Sequence, residues 1–192
     1  MEIITAKNSV YTESGMINAL IHFEGFDDFV PFTASPDDTE GHGQEIFAEL
    51  KSGKYGPVAP FTVTPEMLTA AKQARHAEIN AWRDAQENGS ITFSLNGHKW
   101  DCGKASQSRL APVVAVARTG ALPPGFFWTD ADNVDVPMSA DELTALEAAM
   151  QQNMVLQGFK IHERQRQMKE EVDKLTDYKA IQQYIVGWPE EN

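Results

Sequence analysis

Asn96-Gly97, set between two arms of alternating residues, constrains this chain more than any other pair. Asn and Gly accept the positive φ of a type I′ turn, whose twist matches that of a two-residue β-hairpin. The arms are Ile91-Thr92-Phe93-Ser94-Leu95 and His98-Lys99-Trp100-Asp101-Cys102. Period-two alternation points Ile91, Phe93 and Leu95 one way, and His98, Trp100 and Cys102 share a face on the return arm. Helical segments bracket the hairpin. One ends through His76-Ala77-Glu78-Ile79-Asn80-Ala81-Trp82-Arg83, and the other begins near Ser106 as its cap. Arg75–Arg118 therefore reads as a helix–hairpin–helix unit, with Trp82 and Trp100 filling its core and Cys102 as a small packed residue.

The flanks extend this unit in both directions. Thr64-Pro65-Glu66 opens the upstream helix, because Thr suits an N-cap, Pro the first turn and Glu the positive end of the helix dipole. That helix dissolves at Asn88-Gly89. Downstream, Leu110, Val113, Val114 and Ala117 form an apolar stripe that Gly120 ends. Pro112 either sits early enough in that helix to be tolerated or marks a later start. Phe126–Thr129 and Val134–Pro137 form a second hairpin or a paired extended segment. Ser139-Ala-Asp-Glu142 is a capping box. The long helix after it keeps Leu143, Leu146, Met150, Met154, Ile161, Met168, Val172 and Leu175 near one face, and Gly158 either kinks it or breaks it in two. A last helical turn or two spans Asp177–Val186.

The N-terminal part has a different texture. Ile3–Ala6, Met16–Phe23 and Asp28–Phe32 are strand-like, with Gly15 and Gly25 between them. Ser35-Pro36-Asp37-Asp38 suits a helix entry, and a helix from near His42 to Lys51 follows. Lys54–Phe61 holds Pro57, Pro60 and Gly56, so it reads as an extended strap anchored by Tyr55, Val58 and Phe61. The fold class is α+β. A small acidic mixed module over residues 1–61 precedes a mostly helical module over residues 62–192, with one or two hairpins and a long C-terminal helix or helical pair.

Charge and motif content narrow the chemistry. The net charge of −12 repels nucleic-acid phosphate, so no nucleic-acid partner is expected. No apolar run reaches the length of a membrane span, and Met1-Glu2-Ile3-Ile4 has no positively charged n-region, so neither membrane nor signal peptide is expected. Cys102 is the only cysteine. His98 lies on its face but about 13 Å away along the strand, too far to activate it. Asp130, Asp132, Asn133 and Asp135 fail the calcium-loop pattern, since Val134 occupies a donor position and Asp135 the glycine position. The five histidines are scattered, without zinc-ligand spacing. Phosphate-binding glycine loops and nucleophile elbows are absent. No enzyme, metal or cofactor is expected.

Two stretches carry a resemblance. Pro31–Asp38, Glu40-Gly41-His42-Gly43 and Lys54–Phe61 are similar to the short N-terminal module of tailed-phage and prophage tail proteins. Ile79–Arg83, Phe93–Asp101, Ser106, Arg109, Leu110, Phe127-Trp128, Asp132-Asn133 and Glu142-Leu143 resemble DUF4376, the domain at the C-terminus of tail-fibre assembly-like proteins. The resemblance implies a tail-fibre assembly chaperone made in the host bacterial cytoplasm, with a tail-fibre or other tail protein as partner. The alternative is a structural subunit of the virion tail. Tyr55, Val58 and Phe61 on the strap and Trp188 in the Gly-Trp-Pro tail are the candidate partner-binding residues, because they are apolar groups on irregular backbone. The competing readings are that the strap residues tie the modules together and that Trp188 folds back. The apolar stripe of the long helix also suits self-association.

Overall fold

The computed structural model describes residues 2–189. The chain is α+β and divides into two compact units, one ending at Thr64 and one starting at Pro65.

The first unit is an antiparallel sheet of β1 (Ile3–Tyr11), β2 (Ile17–Phe23) and β3 (Val30–Ala34) with β2 in the centre, covered by α1 (Gly41–Lys51). Alternation along β2 buries Ile17, Ala19, Ile21 and Phe23, which meet Ile46, Phe47 and Leu50 of α1. β1 runs well beyond the Ile3–Ala6 segment expected from sequence. Its pairing with β2 shifts between Lys7 and Val10, where Asn8 takes φ +58°. Asn tolerates the left-handed region, so the strand absorbs an extra residue and continues. The Ser35–Asp38 segment does not cap α1. Ser35 Oγ accepts from the Asp37 amide and Asp38 Oδ1 from the Glu40 amide, so these side chains shape turns ahead of a helix that starts at Gly41.

In the second unit, α2 (Pro65–Asn88) leads into the hairpin of β4 (Ile91–Leu95) and β5 (His98–Cys102), then α3 (Lys104–Arg118). Phe93 pairs with Trp100 and Ile91 with Cys102, as the Asn-Gly turn requires, with Asn96 at φ +52° and Gly97 at +79°. α3 starts two residues before Ser106, which is buried inside it rather than capping it. Its first flanking residue is Gly103, where a Cβ would lie 3.0 Å from the Gly89 carbonyl. The close approach of the hairpin to the end of α2 therefore fixes where α3 begins. Pro112 consequently lies well inside the helix, on an exposed side.

Short strands β6 (Phe127–Thr129) and β7 (Asp135–Pro137) pair antiparallel, and α4 (Ala140–Lys174) and α5 (Tyr178–Gln182) complete the unit. The Ser139–Glu142 capping box is formed, with the Ser139 hydroxyl accepting from the Glu142 amide and Glu142 accepting from the Ser139 amide. Such a cap contributes about 1 kcal/mol. α4 passes unbroken through Gly158 for 35 residues and serves as the spine. Its first half packs Leu143, Leu146 and Met150 with Trp100, Leu110 and Val114 of the hairpin and α3. Its second half packs Met168 and Val172 on Ile79 of α2. Lys72 donates to the Asp173 carbonyl and Gln165 to Asn80, so α2 and α4 run antiparallel. The stripe that suited self-association is thus consumed within the chain.

Candidate functional site

Tyr55 and Val58 pack half-buried against the core of the first unit. The Tyr55 hydroxyl donates to Glu49 at 2.7 Å, and Lys54 pairs with the same carboxylate, also at 2.7 Å. Hydrogen bonds from Lys54 and then from Tyr55 hold the Glu49 carboxyl below its ordinary value. Ala59 bridges β1, accepting from the Tyr11 amide and donating to the Ser9 carbonyl. This bridge covers part of an otherwise open strand edge. Phe61 follows, half-buried. Apart from the Ala59 bridge, the strap is irregular backbone.

Trp188 sits in the second unit. Its ring meets Trp82 edge to face at 5.1 Å and 74°, and its Nε1 donates to Gln86 at 3.0 Å. Arg164 holds the preceding residue, donating to the Gly187 carbonyl at 2.7 Å. Tyr184 and Val186 pack inward against Ile79, Met168 and Val172, and the Tyr184 hydroxyl donates to Glu171. The tail is therefore docked, yet Trp188 stays 42% exposed and Ile185 81% exposed. The strap trio lies in the first unit and Trp188 in the second.

A second feature combines residues far apart in sequence. Asp101, Ser106, Arg109, Phe126, Phe127, Trp128, Thr129, Asp130 and Asn133 line an open cleft of about 410 Å³. β5 and α3 supply one wall, and the β6–β7 hairpin the other. Six of these side chains, those of Asp101, Ser106, Arg109, Phe127, Trp128 and Asn133, belong to the motifs that carry the DUF4376 resemblance. The wall is braced by Asp130, which is buried. One carboxylate oxygen of Asp130 accepts from the Asp132 and Val134 amides at 2.9 Å each, and the other meets His98 Nδ1 at 2.8 Å. The Val134 amide, then His98, hold this carboxyl below its ordinary value. One oxygen is thereby committed to the turn and the other to joining it to the β4–β5 hairpin. Arg109 reaches the Ser106 hydroxyl at 3.4 Å. The cleft's lining comes from two separated segments, so it is not legible in the sequence, although most of its residues stand out singly.

Cys102 is buried, with its thiol directed at the Met150 carbonyl at 3.5 Å, and burial raises its pKa. That environment disfavours the thiolate a nucleophile requires. Among the described residues no helix is long and apolar enough to cross a membrane.

The chain belongs to the DUF4376 family, described as a domain of unknown function, which matches residues 70–186. That span takes in the hairpin, the cleft, the whole of α4 and most of the docked tail. No curated protein and no solved structure matches the chain.

Proposed function

We propose that this protein is a non-enzymatic assembly factor for a phage tail fibre, acting in the host bacterial cytoplasm. The observation that carries the reading is the docked tail. Ile185 and Trp188 are exposed, while Arg164 holds the Gly187 carbonyl between them and Trp82 and Gln86 hold the Trp188 ring. An apolar group already fixed in place loses little conformational entropy when a partner covers it, which favours binding. Phe61 and its neighbours Tyr55 and Val58 offer a further apolar edge on the first unit. A fibre is a β-rich trimer whose immature end exposes apolar surface and open strand edges, an aggregation hazard until assembly is complete. Shielding that end requires complementary apolar contacts and no chemistry. The strongly acidic surface then disfavours nucleic acid as a competing partner.

The reading is tested by co-expression with the neighbouring fibre gene. Soluble, trimeric fibre is expected only when this protein is present, and rescue should fall when Trp188 is replaced by Ala. A fibre that becomes soluble and trimeric without it sinks the proposal. The second reading, a structural subunit of the mature tail, is favoured by the continuous 35-residue α4 with apolar side chains still exposed at its middle. Stoichiometric presence in purified virions selects that reading over a released chaperone.

A further inference from the structure

We propose that the cleft between β5 and β6 receives one short extended strand of a partner polypeptide, which joins the two hairpins into a continuous sheet. The β4–β5 and β6–β7 hairpins form separate two-stranded sheets. Among the described residues, one backbone hydrogen bond joins them, from the Ala131 amide to the Lys99 carbonyl at 2.9 Å. Beyond that bond the two strands are unpaired with one another, and the cleft of about 410 Å³ lies between them.

Hairpin register decides which main-chain groups face outward on the β5 wall. A two-residue turn closes on a hydrogen-bonded pair, here Leu95 and His98, and bonded pairs then alternate with non-bonded ones. Phe93–Trp100 and Ile91–Cys102 are therefore bonded pairs. Lys99 and Asp101 turn their N–H and C=O groups away from β4. The Lys99 carbonyl agrees with this, since it meets Ala131 on that outer edge.

The β6 wall follows the same rule. The Asp130 amide donates to the Val134 carbonyl at 2.9 Å, which makes that pair a bonded one. Trp128–Val136 is then bonded, while Thr129 and Phe127, opposite Asp135 and Pro137, turn their main-chain groups away from β7. Pro137 fits its place, since it has no N–H to give β6. Asp101, Phe127 and Thr129 all line the cleft. Among the described residues, none of their outward main-chain groups has a hydrogen-bond partner.

Two strand edges with unused donors and acceptors select the occupant. An extended strand presents N–H and C=O together at every second residue on each side. One of its residues therefore pairs with Asp101, and the residues beside it pair with Phe127 or Thr129. Main-chain bonds of this kind hold added strands at sheet edges. A saccharide or a planar ring lacks that period. The side chains match as well. Phe127 is 49% exposed, and Trp128, one residue on, points to the opposite face, where it packs on the core of the unit. Apolar β-branched side chains of the guest pack beside both rings. Charge in the cleft is balanced, with Arg109 against Asp101, while Asp130 is already bonded. The guest is therefore a neutral strand. Arg109, whose one polar contact is the Ser106 hydroxyl, is left to donate to a guest carbonyl.

The test screens the full chain against a library of acetylated, amide-ended pentapeptides built from Thr, Val, Ile, Tyr and Gln. The tightest binder should shift the amide resonances of Asp101, Phe127 and Thr129 and slow their hydrogen exchange. An inserted strand turns every amide toward one wall or the other. N-methylation at each central position in turn should therefore weaken binding by about tenfold. Thr129→Pro removes an outward N–H without touching the β6–β7 ladder, and it should weaken binding by a similar factor. A library without a binder overturns the proposal, as does a binder that N-methylation leaves unchanged. Sensitivity at every second position alone means that one edge is used, and it overturns insertion. Should Thr129→Pro unfold the hairpin, the N-methyl series decides alone.

Discussion

His98 and Asp130, 32 residues apart in sequence, join the β4–β5 hairpin to the β6–β7 turn through a 2.8 Å hydrogen bond. The Asp130 side chain is 3% exposed, and its other oxygen holds the turn by two backbone amides. Together these contacts shape one wall of the aromatic cleft. They also couple stability to acid. The folded carboxyl, held below its ordinary value by the Val134 amide and then by His98, binds a proton less readily than in the unfolded chain. Its contribution is therefore complete above the unfolded carboxylate value of about 3.9 and is lost as pH falls through the lower folded value. Asp130→Asn keeps one acceptor and loses the charge. Its urea midpoint should fall below that of the parent at neutral pH, and the two should converge in strong acid. A gap that stays constant from neutral to acid would show that the carboxylate's charge plays no part.

The Trp82–Trp188 contact makes a second prediction, on the tail. An edge-to-face aromatic pair contributes about 0.5–1.5 kcal/mol beyond the area it buries. A double-mutant cycle of Trp82→Ala and Trp188→Ala, read by chemical denaturation, should return a coupling energy in that range. Gln86→Ala should cost less, because it removes one neutral hydrogen bond at an exposed site. Strict additivity of the two tryptophan variants would mean that the rings do not meet in solution, and that the tail does not present Trp188 in a fixed pose.

What was legible in the chain was local. Asn96-Gly97 fixes its hairpin because the positive φ values belong to those two residues themselves, and Ser139 with Glu142 caps α4 through side chains three positions apart. The α+β class and the burial of Leu143, Leu146, Met150, Ile161, Met168 and Val172 follow from periodicity in the same way. The start of α3 was not legible, because the close approach of Gly103 to Gly89 is set by tertiary packing. Gly158 gave no local sign of the outcome either. α4 continues through it because the helix is packed on both sides, against α3 and the hairpin before and α2 after. The cleft escaped sequence reading because its walls come from residues 101–109 and 126–133, which only the fold brings together.

Tyr184 supplies the last prediction, at the alkaline end. Its ring packs against Ile79, Met168 and Val172, and its hydroxyl donates to Glu171, which Arg164 also contacts at 3.3 Å. Burial first, and then the neighbouring Glu171 carboxylate, push the phenol up to about 12. Both causes oppose a phenolate, since it would lose solvation and face a like charge. The folded state therefore holds this proton more tightly than the unfolded chain, whose tyrosines titrate near 10. The contribution is complete below about 10 and is lost as pH rises through about 12. Ultraviolet titration of the phenols should show Tyr184 as a late-ionising tyrosine that is absent from Tyr184→Phe, beside Tyr55, which burial and its bond to Glu49 also raise. The same variant should unfold at lower urea at neutral pH, and the gap should narrow in strong alkali. If Tyr184→Phe removes no late-ionising phenol while the protein remains folded, the Tyr184–Glu171 bond does not hold the tail.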